Sequence, residues 1–311
     1  MKKGKIILIL AAVIVLVASA VTATIHFDSA SENNEAVTTT TEEISTTAEV
    51  VDPDSIVWDD GGYEGFSDGL INFLFIGQDR REGEGRQRSD AMILCSLNPE
   101  TNELSMISFM RDLYVQIPGY EDNRLNAAYA YGGFDLLKET LMLNFGVQVD
   151  GCLEVDFESF TKIVDTIGGI DIELSAKEAE IIGGVSEGIC HLDGAQTLTY
   201  ARIRKIDSDF ERTRRQRNIL SAVFLKLKGM DVMGRLGFVS EVFPLVATDM
   251  DDSALMSLAS KLAASLDNLE VETYRIPADG AYKNATVREM AVLIPDIEKN
   301  RKAIFEEYLP Q

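Results

Sequence analysis

The sequence predicts an α/β layered domain built on a mixed sheet. Apolar runs of strand length alternate with longer segments of helical periodicity, and Gly, Pro, Asn or Asp bound most of them. The second and third strands follow one another through "NPETNE", a connection of hairpin composition. A hairpin makes those neighbours antiparallel, so the sheet is not purely parallel.

The elements follow in order. "MKKGK" places three lysines before an uncharged apolar run, Ile6 to Ala23. At ~1.5 Å per residue that run spans roughly 27 Å, enough for a bilayer core. Basic residues ahead of the span predict a single-pass anchor in the cell membrane, N-terminus inside and the remainder extracytoplasmic. A cleaved signal peptide is the competing reading, since "ASA" at 18–20 resembles a cleavage site, but the apolar run is longer than such peptides use. Residues 1–27 are thus the tail and anchor. Residues 28–68, rich in Ser, Thr and Glu, read as a flexible stalk, and 69–311 as the folded domain.

Within that domain "INFLFIG" (71–77), "AMILCSLNP" (91–99) and "NELSMISFMRD" (102–112) predict three strands. "GGFDLLKETLMLNFG" predicts a helix, "CLEVDF" a strand, "ESFTKIVDTIGG" a helix and "IDIEL" a strand. "DGAQTLTYARIR" opens a helix with Asp193 as cap. In "NILSAVFLKLKG", Leu220, Val223, Phe224 and Leu227 fall at i, i+3, i+4 and i+7, the stripe of an amphipathic helix. "DDSALMSLASKLAASL" predicts another helix, "VETYRIP" a last strand, and Thr286 to Tyr308 a final helix. The glycine pairs at 132–133, 168–169 and 183–184 read as turns or helix stops.

Composition excludes several function classes. A formal net charge of −22 leaves no basic face for nucleic acid. His191 is the one histidine in the folded part and reads as a turn residue, so Ser-His-Asp and Cys-His catalysis have little support. There is no phosphate loop, no dinucleotide fingerprint and no zinc spacing. Cys95 reads as a buried strand residue, and an extracytoplasmic location permits, without requiring, a Cys152–Cys190 disulfide.

Against that acidity, "YARIRKIDSDFERTRRQRN" (200–218) carries seven Arg or Lys among nineteen residues. Arg forks two hydrogen bonds onto carboxylate or phosphate oxygens. On a helical wheel from Asp209, the apolar stripe also contains Thr213 and Gln216. Arg212 and Arg217 flank it, and Arg214 and Arg215 point toward solvent. Polar groups on an inward stripe need partners, and a polyphosphate would supply them. Internal pairing with Asp207, Asp209 and Glu211 is the plainer reading, but three acids cannot satisfy seven cations. Arg217 could also be a flank cation whose stem covers apolar surface.

Asp79 and Asp90 close the loop between the first two strands, and two carboxylates beside phosphate oxygens suit Mg²⁺. Each could equally be an ordinary loop or strand-end residue. Arg88 in "RSD" and Arg111–Asp112 in "FMRD" emerge at strand ends, where exposed ion pairs are the simplest reading.

Together, "FLFIGQDRR…RSDAMILCSLNP", "ISFMRDLYVQIPG", "RLNAAYAYGG", "VDFESFTKIVDTIGGIDIEL" and "HLDGAQTLTYARIRKIDSDFERTRRQRNIL" resemble the LytR-CpsA-Psr family, from about Ile71 to Leu227. The resemblance implies a three-layer α/β/α sandwich behind one transmembrane helix, with a hydrophobic pocket for a prenyl chain beside an Arg-lined pyrophosphate site. It implies a phosphotransferase that moves a glycopolymer, of teichoic acid or capsular polysaccharide type, from a polyprenyl-pyrophosphate carrier to peptidoglycan. Asp79 and Asp90 become Mg²⁺ ligands, with Mn²⁺ as an alternative. Arg88, Arg111, Arg202, Arg204, Arg212, Arg215 and Gln216 become the pyrophosphate clamp, with Arg217 added to it from the wheel. Arg88, Arg111 and Arg212 would also act in the transfer itself, with Asp112 or Asp209 as general base. The family usually has Pro where this chain has Met110, which predicts looser positioning of Arg111. A polyprenyl-pyrophosphate hydrolase and a non-catalytic binder of lipid-linked precursors are the alternatives.

Overall fold

The computed structural model describes residues 48–58, 69–78, 86–204 and 206–310. The expected anchor at 6–23, the loop residue Asp79 and most of the expected stalk lie outside them. Among the described residues no helix is long and apolar enough to cross a membrane.

In chain order the elements begin with β1 (Glu49–Val50), β2 (Ile71–Gln78), β3 (Ser89–Asn98), β4 (Glu103–Phe109), β5 (Tyr114–Val115), β6 (Asn123–Arg124) and α1 (Leu125–Phe145). There follow β7 (Gly151–Asp156), α2 (Phe157–Thr166), β8 (Ile170–Leu174), α3 (Ala176–Ile182), β9 (Gly188–Leu192), α4 (Gly194–Ala201), α5 (Asp209–Lys228) and α6 (Val232–Val242). The chain finishes with β10 (Ala247–Thr248), α7 (Asp252–Ser265), β11 (Glu270–Ile276), β12 (Tyr282–Val287), β13 (Met290–Pro295) and α8 (Ile297–Lys302).

The central sheet has the order β10-β7-β2-β3-β4-β11 and is mixed, as expected. β2, β3 and β4 form the antiparallel meander, whereas β7 on β2 and β11 on β4 are parallel. Alternation along each strand assigns the two faces. Leu74, Ile76, Leu94, Ile107 and Phe109 pack under α1 and the C-terminal helix. Phe73, Ile93, Cys95, Leu97 and Met106 pack under α5 and α7. A third apolar cluster joins the β8–β9 hairpin to α2, α3, α4 and α5. Asp193 caps α4 with a capping box closed by Gln196, the geometry its sequence predicts.

Three expectations change. The helix expected from Gly132 starts at Leu125, because its first turn docks on the β4 exit: Leu125 N–H donates to Leu113 and Asn126 N–H to Arg111. Gly133 (φ +70°) kinks it, so the glycine pair bends the helix without ending it. The first part of the expected helix from Thr286 is instead the end of the β12–β13 hairpin, turned by Arg288 (φ 47°) and Glu289 (φ 65°). Helix occupies only Ile297 to Tyr308 there. Residues 49–58, expected in the stalk, are docked. β1 adds in parallel to β12, and Trp58 stacks on Tyr114 and donates to Asp122 at 2.7 Å.

Candidate functional site

Three element ends converge at one end of the sheet: the start of β3, which carries Asp90; the exit of β4, which carries Arg111 and Asp112; and the N-terminus of α5. Arg111 Nη1 donates to Asp90 at 2.9 Å, and Arg111 lies 3.6 Å from Asp112 and 3.5 Å from Asp209. Arg212 donates to Asp209 at 2.8 Å and approaches Asp90 at 3.9 Å. Arg204 reaches Asp90 at 3.4 Å, and Arg124 reaches Asp112 at 3.4 Å. Four guanidinium groups thus face three carboxylates. Arg88 is exposed beside them and forms no ion pair among the described residues. In a chain of net charge −22 this centre has a local positive excess.

Burial makes the excess costly. Arg212 is 1% exposed, and its Nε and Nη1 have no hydrogen-bond partner among the described residues; Arg111 Nε and the Gln216 Oε1 are likewise buried without one there. Each unsatisfied buried group costs ~1–3 kcal/mol, and the three guanidinium N–H groups among them would be satisfied by a bound acceptor. Burial, with repulsion from Arg111 and Arg204, lowers the Arg212 pKa, and Asp209 and Asp90 offset this only in part. At Arg111 burial acts the same way, but Asp209, Asp112 and Asp90 outweigh it and raise the pKa.

An apolar cavity of about 370 Å³ opens beside this centre, between the sheet and α2, α5, α6 and α7. Its lining includes Gly77, Ala91, Phe157, Ala201 and Gln216, which adjoin the charged groups, and continues to Leu227, Phe238 and Leu262. Arg202 lies over the Phe157 ring at 4.7 Å and so sits at this mouth. One helix spans both regions: from Arg212 to Leu227, α5 runs roughly 22 Å.

The expected site residues are therefore distributed. Arg111, Asp112, Asp90, Arg204, Asp209 and Arg212 meet in one ion-pair network. Arg202 and Gln216 lie at the cavity mouth. Arg215, placed toward solvent by the wheel, is instead 1% exposed. It donates to Glu178 at 2.6 Å and to the Ile203 carbonyl at 3.3 Å, and forms a close pair with Asp207. Its donors are committed inside the protein, so it braces α5 against α3. Arg217 is 6% exposed and donates to Ser108 Oγ at 2.9 Å under the sheet. Burial, reinforced by Arg275 and Arg214, pushes its pKa down to about 10. Arg217 does not line the cavity.

Met110 does not loosen its turn: its N–H donates to the Ile276 carbonyl at 2.8 Å, a bond Pro could not make, and it is 1% exposed. His191 is exposed on β9, 2.7 Å from Asp171. Cys152 and Cys190 are both free thiols packed in different clusters. Sequence reasoning missed Arg124, whose signal was only its place three residues before "AAYA".

For Mg²⁺, Asp90 offers a partly exposed carboxylate at the mouth, crowded by three arginines; Asp79 is not among the described residues. No group of three metal-ligating side chains occurs among those described. That donor set fits a hard cation held chiefly by ligand phosphates and water, not a protein cage.

Fold and site define an α/β protein with a cationic centre at the mouth of an apolar cavity. The chain belongs to the LytR_cpsA_psr family, whose model matches residues 21–305. It is 32% identical over 214 residues to the polyisoprenyl-teichoic acid–peptidoglycan teichoic acid transferase TagU of Bacillus mycoides (strain KBAB4), covering 68% of this chain and 69% of that one. It is 27% identical over 250 residues to the regulatory protein MsrR of Staphylococcus aureus (strain COL), covering 79% and 76%. The structure of TagT bound to LIIa-WTA superposes with a TM-score of 0.63 at 24% identity, covering 85% of this chain and 96% of that one, a likeness of fold. The chain is an enzyme of the phosphotransferase class.

Proposed function

We propose that this enzyme takes a glycopolymer from a polyprenyl-pyrophosphate carrier and attaches it through a phosphodiester to a peptidoglycan hydroxyl. The observation that carries the reading is the continuity of α5, which presents Arg212 and Gln216 at the head of the cavity that its Leu220, Val223 and Leu227 wall. A prenyl chain suits that cavity, and a pyrophosphate supplies the acceptors that Arg111 and Arg212 lack. Arg204 joins them, with Arg88 and Arg202 at the rim. The name of the TagU relative supports the reading.

In the transfer, the acceptor oxygen bonds to the phosphorus that carries the glycopolymer. The bond from that phosphorus to the bridging oxygen breaks, and polyprenyl phosphate leaves with the electron pair. The acceptor proton passes to a carboxylate beside Arg111, a position that both Asp112 and Asp209 occupy. Preorganised guanidinium groups stabilise the charge that develops on the phosphoryl oxygens, the main contribution a protein makes to such transfers. Asp90, with Asp79, would hold Mg²⁺, which supplies further charge neutralisation. Residues 6–23 would keep the site beside the membrane that carries the donor, and 28–48 would set its reach into the wall.

The test incubates the full-length chain in detergent with a synthetic polyprenyl-pyrophosphate oligosaccharide, a peptidoglycan oligomer and Mg²⁺. A phosphodiester conjugate seen by mass spectrometry, lost in Arg111→Ala and kept in Lys226→Ala, supports transfer. Free sugar phosphate without conjugate, or intact donor that merely co-purifies, would sink it.

A further inference from the structure

Tyr120 and Tyr131 are 53% and 40% exposed, yet their rings stack on each other with centroids 4.9 Å apart and planes inclined by 22°. Offset stacking of two aromatic rings is favourable beyond burial and holds both rings in one orientation while their outer faces stay in water. The platform is braced. Asn123 donates to the Tyr131 hydroxyl at 3.0 Å, and its own side-chain oxygen accepts the Arg124 N–H at 2.8 Å.

The platform also has a fixed relation to the reacting centre. Arg124 pairs with Asp112, which pairs with Arg111. The first turn of α1 is tied to the Arg111 and Leu113 carbonyls, and Tyr131 follows Leu125 by six residues, about 9 Å along the helix. Two residues beyond Tyr131, Gly133 lies against the Arg86 guanidinium: a Cβ there would come within 2.7 Å of it. Arg86 comes two residues before Arg88 in the connection that leads into β3 and Asp90.

The chemistry of the patch selects its occupant. A flat aromatic face with amide and guanidinium donors at its edge recognises the axial C–H face and hydroxyls of a pyranose, because the electron-rich ring attracts polarised C–H groups. Glu121 is 81% exposed and paired with Arg288 at 2.6 Å, Asp122 accepts from Trp58, and Asp112 lies behind Arg124. These acids and arginines balance one another, which suits an uncharged sugar better than a polyanionic chain.

We propose that Tyr120 and Tyr131, with Asn123 and Arg124, form a sugar subsite that seats the acceptor, a neutral chain of N-acetylhexosamines, beside the Arg111–Asp112 centre. The acceptor identity rests on the transferase reading above; the recognition of a sugar does not.

The test titrates the full-length chain in detergent with tetra-N-acetylchitotetraose, followed by saturation-transfer NMR. Binding by the wild type should weaken about tenfold or more in Tyr120→Ala and Tyr131→Ala, and survive in the corresponding Phe variants, which keep the rings. All four variants should stay folded, the Ala variants melting a few degrees below the wild type because the stack is lost. No binding by the wild type, or equal binding by the Ala variants, overturns the subsite. In the transfer assay the Ala variants should raise the acceptor KM by a similar factor and leave kcat and the donor KM unchanged. A raised donor KM instead assigns the tyrosines to the donor polymer and overturns the acceptor assignment. Ring-dependent chitotetraose binding in a wild type that forms no conjugate would support the subsite and count against the transferase.

Discussion

Arg212 and Arg215 lie three residues apart on α5 and are equally buried at 1% exposure, but their surroundings predict opposite consequences of removal. Arg212 holds one good hydrogen bond, to Asp209 at 2.8 Å, and among the described residues leaves Nε and Nη1 without partners. In Arg212→Met a partly exposed ion pair worth ~0–1 kcal/mol disappears, and a comparable burial cost disappears with it. Asp209 keeps Arg111 at 3.5 Å. The stability change should therefore stay within about 1 kcal/mol, less than roughly 4 °C in Tm for a domain of this size. Arg215 has Glu178, Asp207 and the Ile203 carbonyl as partners. Arg215→Met strands the buried Glu178 carboxylate, a loss of about 3–5 kcal/mol, or roughly 6–20 °C. Activity should divide the other way. Arg212→Met should lower kcat/KM by roughly 10²–10³, the scale of losing one preorganised donor to a developing anion, and should weaken binding of inorganic pyrophosphate. Arg215→Met, assayed well below its own Tm, should keep pyrophosphate affinity. Calorimetry and pyrophosphate titration of both variants decide the matter. Equal loss of Tm in the two, or full activity in Arg212→Met, would refute the division.

Val223→Phe places a larger side chain on the cavity wall, where there is room for it. It should weaken binding of long-chain prenyl phosphate about tenfold or more, while Tm and pyrophosphate affinity hold, as titration with prenyl phosphates of graded length would show. Burial opposes ionisation of Glu178, but hydrogen bonds from Arg215 and Ser175 outweigh it and hold its pKa below the ordinary 4.5. A depressed carboxylate contributes stability that is present above its unfolded pKa and is lost as pH falls through the folded value. Wild-type Tm should therefore fall more steeply below about pH 4 than that of Glu178→Gln, which a pH series of melting curves would reveal. Chelation by EDTA should abolish transfer and added Mg²⁺ restore it, with Asp90→Asn needing about tenfold more metal for half-maximal rate.

The fold was legible wherever periodicity and punctuation agreed. β2, β3 and β4 are continuous apolar runs because both faces of the sheet are covered, and Asp193 announces α4 through a local side-chain bond. The C-terminal hairpin was not legible. Its turn residues, Arg288 and Glu289, hold positive φ without the Asn or Gly that usually signals such a turn, and "REMAVLIPDIEKN" also fits a helical window. The docking of residues 49–58 was hidden for another reason: its main bonds run to β12 and Asp122, a partnership no local pattern encodes.

The Arg-rich segment shows the same limit at the site. A wheel assumes one buried face, and on that assumption Arg214 points to solvent, as it does, donating to Glu211 at 2.8 Å. It fails at Arg215 because α5 is enclosed twice, by the sheet and by the unit containing α3, whose Glu178 is 37 residues away in sequence. The segment thus contains side chains of different use: a brace at Arg215, a core contact at Arg217 to Ser108, and the site-facing pair Arg204 and Arg212. Arginine suits the two most buried of these positions. Burial lowers the Arg212 pKa, but a guanidinium starts so high that its charge survives at neutral pH, whereas a lysine begins near ~10.4 and sheds its proton more readily on burial. An acidic protein that must keep fixed positive charge at the mouth of an apolar cavity therefore uses guanidinium groups, and it spends neighbouring aspartates to hold them in place.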